Sequence, residues 1–159
     1  CKALIAHIHA ESENCKHPRI DAMTPYSNTQ VYMFNGDNFW IVDTCSVQQV
    51  ESTKRKIKDY WPHVQTPVDA VSNFYDSSNS TFLIFITKNV YKMYRHKVDA
   101  PLIQNDTLYR FGNIRMRGLT KGNGRINALH INQNKEAFVC SSRNNLSKCA
   151  IEDKFVLEF

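Results

Sequence analysis

The residue types that most often carry chemistry are present in this chain, but their spacing does not assemble a reactive site. Six histidines stand at positions 7, 9, 17, 63, 96 and 130. His7 and His9 lie two positions apart in a stretch that favours a helix, so they point to different faces and a shared metal ion is not expected. No Ser/His/Asp order, paired carboxylate motif or glycine-rich phosphate loop can be identified. The sequence therefore predicts a protein that is not an enzyme.

The cysteines and three glycosylation motifs indicate an extracellular protein. The cysteines are Cys1, Cys15, Cys45, Cys140 and Cys149, and they lack the closely spaced pairs that a zinc site needs. Asn-x-Ser/Thr motifs begin at Asn79, Asn105 and Asn145, each in a polar stretch. This combination favours a secreted, disulfide-bonded glycoprotein. Because the number of cysteines is odd, one thiol is free, or pairs with another chain in a disulfide-linked dimer, or pairs with a segment outside this sequence.

Positive charge is concentrated in two clusters. The net charge is +5 and the isoelectric point is about 9.0. The clusters consist of Lys54, Arg55, Lys56 and Lys58, and of Arg115, Arg117, Lys121 and Arg125. They form either a solvated surface or a patch for a sulfated glycan or an acidic protein. We expect no nucleic-acid partner, and no membrane insertion because apolar runs such as 82–86 are too short to span a bilayer.

The hydrophobic pattern predicts strands after a short helical start. With 159 residues and 42% hydrophobic residues, the chain suits one globular domain. Residues 1–14 favour a helical segment packed on that domain, since Leu4, Ile5 and Ile8 have helical spacing. Alternation begins at Ile20. Residues 47–60 carry apolar positions at helical intervals among charged ones, which predicts an amphipathic helix that includes the first basic cluster.

A short strand followed by a hairpin recurs along the chain. The opening strands are Ile20-Asp21-Ala22, Val68-Asp69-Ala70, Val98-Asp99-Ala100 and Ile126-Asn127-Ala128. The hairpins that follow them are 31–40, 82–91, 108–116 and 137–146. Four such units predict a small β-propeller. An alternative takes the copy at position 98 as coincidence, which leaves three long units starting at 20, 68 and 126 and an incomplete ring.

Three segments of the first unit resemble a known repeat. They are Cys15-Lys-His-Pro-Arg-Ile-Asp-Ala22, Asn35-Gly-Asp-Asn-Phe-Trp-Ile-Val-Asp43, and 60–70 at the junction with the next unit. They resemble the hemopexin-like repeat, with its Asp-Ala strand and its Gly-Asp turn before an aromatic strand. The resemblance implies an all-β, four-bladed propeller over residues 15–159. Its blades would start near 20, 68, 98 and 126, carry short helices, and be most complete in the first unit.

The resemblance also implies ion and disulfide positions. Backbone carbonyls near Asp21, Asp69, Asp99 and Asn127 would face a central channel that holds calcium, sodium or chloride in the family, although no cofactor is required. Alternatively, these side chains cap turns or bond to neighbouring blades. By the same resemblance a disulfide closes the ring between Cys15 and either Cys149 or Cys140, which leaves Cys1 and Cys45 to join the N-terminal segment to the first blade.

The aromatic residues mostly alternate along the strands, so we expect them in the core. They are Tyr32, Phe34, Phe39, Trp40, Phe82, Phe85, Tyr91, Tyr94, Tyr109, Phe111 and Phe138.

The functional expectation follows from the fold rather than from a motif. We expect a secreted, non-catalytic module that binds an extracellular protein, such as a receptor or a matrix component. The alternatives are a small-ligand carrier for haem or a polyamine, and a sulfated-glycan-binding protein.

Overall fold

A computed structural model describes most of the strand-forming part of the chain. The described residues are 20–45, 54–75, 80–88, 90–96, 101–113, 125–131, 137–143 and 146–152. The predicted N-terminal segment 1–14 and the predicted opening strand Val98-Asp99-Ala100 lie outside these ranges. So do residues 47–53, which form the first half of the predicted amphipathic helix.

The first sheet is antiparallel and has the strand order β1-β2-β3-β4. Its strands are β1 (Ala22–Pro25), β2 (Gln30–Asn35), β3 (Asn38–Asp43) and β4 (Arg55–Lys56), followed by helix α1 (Ile57–Tyr60). The hairpin predicted from Asn35-Gly36-Asp37 is confirmed, because Asn35 pairs with Asn38 across a turn in which Gly36 has a φ of +54°. Glycine suits this turn because a side chain disfavours positive φ.

The second sheet also has four antiparallel strands, in the order β5-β6-β7-β8. They are β5 (Ala70–Tyr75), β6 (Thr81–Thr87), β7 (Val90–Arg95) and β8 (Leu108–Asn113). Successive side chains of β6 point to opposite faces of the sheet, and those on both faces are apolar. β6 is therefore buried along most of its length. The predicted hairpin 82–91 is confirmed.

The third sheet has the order β11-β10-β9 among the described strands. The strands are β9 (Arg125–Ile131), β10 (Ala137–Arg143) and β11 (Leu146–Glu152). The last predicted hairpin is confirmed, since Arg143 pairs with Leu146.

The first strands of the three sheets lie next to one another, with β5 between β1 and β9. Two hydrogen bonds join them. Asn73 donates from Nδ2 to the Pro25 carbonyl at 3.0 Å, and the Ile131 amide donates to Ser72 Oγ at 3.1 Å. Ser72 and Asn73 are both buried. The three sheets therefore contact one another through their first strands, β1, β5 and β9, which we call the inner strands.

Two apolar cores fill the spaces between the sheets. The first lies between the first and second sheets and includes Tyr32, Phe39, Trp61 and Phe85. Trp61 follows α1, and its ring centroid lies 4.9 Å from those of both Phe39 and Phe85. The second core lies between the second and third sheets. The expectation that the aromatic residues form the core is thus correct for most of them.

Two predicted elements differ from the structure. Residues 108–116 do not open with the first strand of a separate hairpin, because Leu108–Asn113 pairs with β7 and completes the second sheet. In the described part of residues 47–60, the helix covers only Ile57–Tyr60, because Arg55–Lys56 pairs with β3. Among the described residues the first and second sheets each have four strands, so the first unit is not the more complete of the two there.

Candidate functional site

The aspartates of the first two repeats hold the turns of their own sheets. Asp21 Oδ2 accepts a hydrogen bond from the Gly36 amide at 2.6 Å, and Asp69 Oδ2 accepts one from the Lys88 amide. The Asp21 amide donates to the Phe34 carbonyl at 2.9 Å. The Asp69 amide makes the same bond, at 2.8 Å, to Ile86. Gly36 and Lys88 open equivalent turns, and Lys88 also has a positive φ, of 59°.

These contacts match the interpretation in which the aspartates cap turns. A buried carboxylate needs hydrogen-bond donors, and the turn amide supplies one to Asp69, which is 5% exposed. Asn127 is placed differently. The register passes from Ala128 opposite Cys140 to Ile126 opposite Ser141, so Asn127 is the extra residue of a β-bulge and is exposed. Asp99 lies outside the described residues. No cluster of three or more potential metal ligands occurs within the described ranges.

A buried polar group lies at the junction of the first two sheets. His96 is 9% exposed, and its Nε2 lies 3.4 Å from the Tyr26 carbonyl oxygen. Its ring also faces Tyr26 and Tyr32, with centroid distances of 5.9 Å and 5.8 Å. Burial lowers the pKa of His96, and the Tyr26 carbonyl partly offsets this effect. Burial of His96 therefore disfavours its charged form, and its ring packs at this junction.

Two tyrosine hydroxyls lie in the first core, and the half-buried Asp106 is close enough to act on both electrostatically. Burial raises the pKa of Tyr94 to about 12, and it also raises the pKa of Tyr32. The negative charge of Asp106 acts in the same direction on both hydroxyls. Burial raises the pKa of Asp106 itself, against the hydrogen bond that it accepts from the Thr107 amide at 2.7 Å. The Tyr32 hydroxyl is buried and makes no hydrogen bond within the described part of the chain, which opposes stability at this junction.

A surface that combines arginine and aromatic side chains lies on β8, the outer strand of the second sheet, and on the adjoining end of β7. Tyr109 and Phe111 are 45% and 67% exposed. The guanidinium carbon of Arg95 lies 5.3 Å from the Tyr109 ring centroid, and that of Arg110 lies 6.0 Å from it. Phe82 packs against the same ring at 4.7 Å. We call Arg95, Tyr109, Arg110 and Phe111 the outer-strand surface.

Sequence reasoning missed this surface. It assigned Tyr109 and Phe111 to the core and left the two arginines out of the basic clusters. These aromatic residues are exposed because β8 is the last strand of its sheet, with β7 as its described neighbour. The available signal was the short run Tyr109-Arg110-Phe111, in which every side chain is large. Phe138 is a further exception to the core prediction, at 43% exposed.

The predicted basic clusters are only partly described. Lys54 precedes β4, Arg55 and Lys56 form it, and Lys58 lies in α1, so the first cluster does not follow one helix face. Lys54, Lys56 and Lys58 are exposed. Arg115, Arg117 and Lys121 lie outside the described residues, and Arg125 opens β9. The structure does not bring the two clusters together into one described patch.

Predicted modification sites are also only partly described. Cys1, Cys15, Asn79 and Asn145 lie outside the described ranges. Asn105 is exposed in the turn before β8, with a φ of 53°, and its amide donates to the Asp59 carbonyl at 2.8 Å. Cys45 is exposed and lies 3.9 Å from Thr44 Oγ1. Cys140 lies opposite Cys149 in the register of β10 and β11.

A small cleft opens between β6, β7 and the segment before β5. Its lining residues are Val64, Gln65, Phe85, Thr87, Val90 and Lys92. Its enclosed volume is about 10 Å³, which leaves room for about one water molecule. The cleft is thus too small to enclose a haem. None of the helices in the described ranges is long and apolar enough to cross a membrane.

Comparisons with known proteins show similarity in fold alone. No family model matches the chain, and no curated protein matches it. The structure is similar to that of a plant lectin with two metal-binding sites from Cicer arietinum, with a TM-score of 0.56 at 12% identity. It is also similar to the hemopexin-fold protein CP4 from cow pea, with a TM-score of 0.53 at 16% identity. In both comparisons the match covers 84% of this chain and 66% of the plant protein, so the chain spans just under two thirds of each plant protein's length.

Proposed function

We propose that the chain is a non-catalytic binding module with a hemopexin-like propeller fold, and that it recognises an extracellular protein. One observation carries the proposal. The aspartates that mark the repeat are engaged in turn contacts, whereas the outer-strand surface leaves aromatic and cationic side chains in solvent. Exposed large apolar residues beside arginines are typical of surfaces that bind another protein.

The three described sheets correspond to three blades of the proposed propeller. The side-by-side inner strands β1, β5 and β9 support this arrangement, as does the similarity to a hemopexin-fold protein. The pairing of β8 with β7 favours the alternative division of the sequence, with units starting near 20, 68 and 126.

The proposed extracellular setting includes two covalent features. We propose a disulfide between Cys140 and Cys149, because directly opposite residues of antiparallel strands have Cα atoms within disulfide range. This pairing replaces the ring-closing bond to Cys15. We also propose that Asn105 carries a glycan, since its motif lies in an exposed turn. Mass mapping of the disulfides and of glycopeptides tests both features.

A second candidate function is binding of a sulfated glycan. Its support is the net charge of +5 and the similarity to a structure described as a lectin. Heparin-resin chromatography at physiological ionic strength tests it, because interactions between exposed charges weaken with salt. Elution in the void volume would contradict this candidate.

Affinity capture from extracellular fluid tests the main candidate. The immobilised chain should retain a protein that then binds the purified chain saturably. A heat-unfolded sample of the same chain serves as the control for nonspecific retention. If no protein is retained by the folded chain above this control, the proposed function is wrong. If haem or a polyamine binds stoichiometrically instead, the carrier alternative replaces it.

A further inference from the structure

The outer strand of the second sheet has a main-chain edge facing away from its neighbour. Among the described strands, β8 pairs only with β7. Alternate amides and carbonyls of β8 therefore point away from the sheet, and such an edge can pair with an extended segment of another chain. Proteins usually guard exposed edges with short strands, proline or bulges. β8 has six residues and lacks proline. A bulge at Tyr109 interrupts its pairing with β7, but Arg110–Asn113 pair regularly and leave a straight edge beside exposed Phe111.

Charge at this edge is positive and fixed in position. Arg95 and Arg110 flank the Tyr109 ring, and Phe82 packs against it. These contacts occupy part of the Tyr109 ring, so it offers less area for stacking on a sugar. No acidic residue occurs in β8. The chemistry that complements such an edge is an extended segment with carboxylate side chains, whose oxygens bind guanidinium groups in pairs.

We propose that β8 binds an acidic, extended segment of a partner protein as an added strand of the second sheet. The inference rests on the proposed function and names the kind of protein segment recognised. A second copy of the chain fits this edge less well. An antiparallel pair of β8 strands would bring Arg110 of both copies close together, and both copies carry a net charge of +5.

Fluorescence anisotropy with labelled ten-residue peptides tests the proposal. The first peptide alternates glutamate and valine, the second alternates lysine and valine, and the third is the first with two central valines replaced by proline. The glutamate peptide should bind saturably, and more weakly as salt is raised. The proline peptide should bind at least about tenfold more weakly, because proline removes the main-chain donors that pair with the edge.

Matched protein variants locate the binding surface. Replacing both arginines, R95Q/R110Q, should weaken binding of the glutamate peptide at least about tenfold. K54Q/K58Q removes the same charge from the residues on either side of β4 and should leave binding unchanged. Thermal unfolding of each variant checks its fold. If R95Q/R110Q does not fold, the single variant R110E is used and should abolish binding.

Several results would overturn the proposal. The first is that the glutamate peptide does not bind. The second is that the lysine or the proline peptide binds as tightly as the glutamate peptide. The third is that R95Q/R110Q and K54Q/K58Q bind the glutamate peptide with equal affinity. Preferential binding of a heparin hexasaccharide at Arg95 and Arg110 would assign the edge to a glycan instead. If affinity capture yields a protein that binds R95Q/R110Q normally, the proposed function stands and this inference falls. If capture yields no protein, the proposed function fails.

Discussion

At the scale of single residues, the polar positions of the repeat are explained by hydrogen bonding within the fold. Asp21 and Asp69 were recognisable from the sequence because the Asp-Ala pair recurs, but their role was not. Whether such a carboxylate caps a turn or lies beside an ion depends on where the hairpin turn comes to lie. That position depends on the register of β1 with β2 and of β5 with β6, which a sequence pattern does not fix.

The first prediction concerns Asp69. Asp69→Ala should lower the free energy of unfolding by about 1–3 kcal/mol, because the Lys88 amide loses its acceptor at a nearly buried site. Asp69→Asn keeps a side-chain oxygen as acceptor, so its free energy of unfolding should fall by less. Urea unfolding measures both. Equal stability of Asp69→Ala and the wild type would show that the turn contact contributes nothing.

The second prediction concerns the pH dependence contributed by His96. Its folded-state pKa lies below the ordinary value of 6.5, so the unfolded chain binds more protons as the pH falls. Its contribution to stability is therefore complete above about pH 6.5 and decreases as the pH drops below that value.

Urea unfolding of the wild type and His96→Gln between about pH 8 and about pH 5 measures this contribution. The wild type should lose more stability than the variant on acidification. The opposite shift expected from Asp106 is common to both proteins and cancels in the comparison. Parallel pH profiles would mean that His96 is not buried in a neutral state.

At the scale of elements, three of the four hairpins were predictable and one was not. Turn residues between alternating runs identify 31–40, 82–91 and 137–146. Residues 108–116 carry the same signal, because Gly112-Asn113 resembles a turn. In the structure Gly112 lies within β8, and a Cβ atom there would come within 2.8 Å of Tyr91 Cε1. The glycine permits close packing of β8 on Tyr91, and this reason is invisible without the strand pairing.

The third prediction tests the position of β8. Gly112→Ala should destabilise the protein by about 1–3 kcal/mol, since the added methyl overlaps the buried Tyr91 ring. In a Tyr91→Leu background Gly112→Ala should lower the free energy of unfolding by less, because the aromatic ring that the methyl overlaps is absent. Chemical unfolding of the four proteins gives the coupling energy. Additive effects would contradict the packing of β8 against β7 at this point.

The fourth prediction compares a second glycine whose constraint is different. Gly36→Ala should cost about 1–2 kcal/mol because the turn requires a positive φ, although no atom lies within 4 Å of the added Cβ. The matched change Gly36→Asn should cost less, since asparagine tolerates this conformation. A stability of Gly36→Ala equal to that of the wild type in urea unfolding would contradict the turn geometry.

At the scale of the whole molecule, composition and repeats predicted a β-rich fold of propeller-like sheets but not the surface available for binding. The outer-strand surface depends on which strand is last in its sheet and on which aromatic residues the neighbouring sheets leave uncovered. Both depend on the assembled sheets. The large basic clusters were easier to see in the sequence, yet in the described residues the first of them is divided between β4 and α1.

Amide hydrogen exchange with and without the captured protein partner tests the central claim most directly, because it reports on every strand at once. Binding at the outer edge predicts protection of amides in Leu108–Asn113, with the inner strands β1, β5 and β9 unchanged. Protection confined to the inner strands would instead indicate a ligand in the centre of the molecule, and would contradict a module that binds protein through its outer surface.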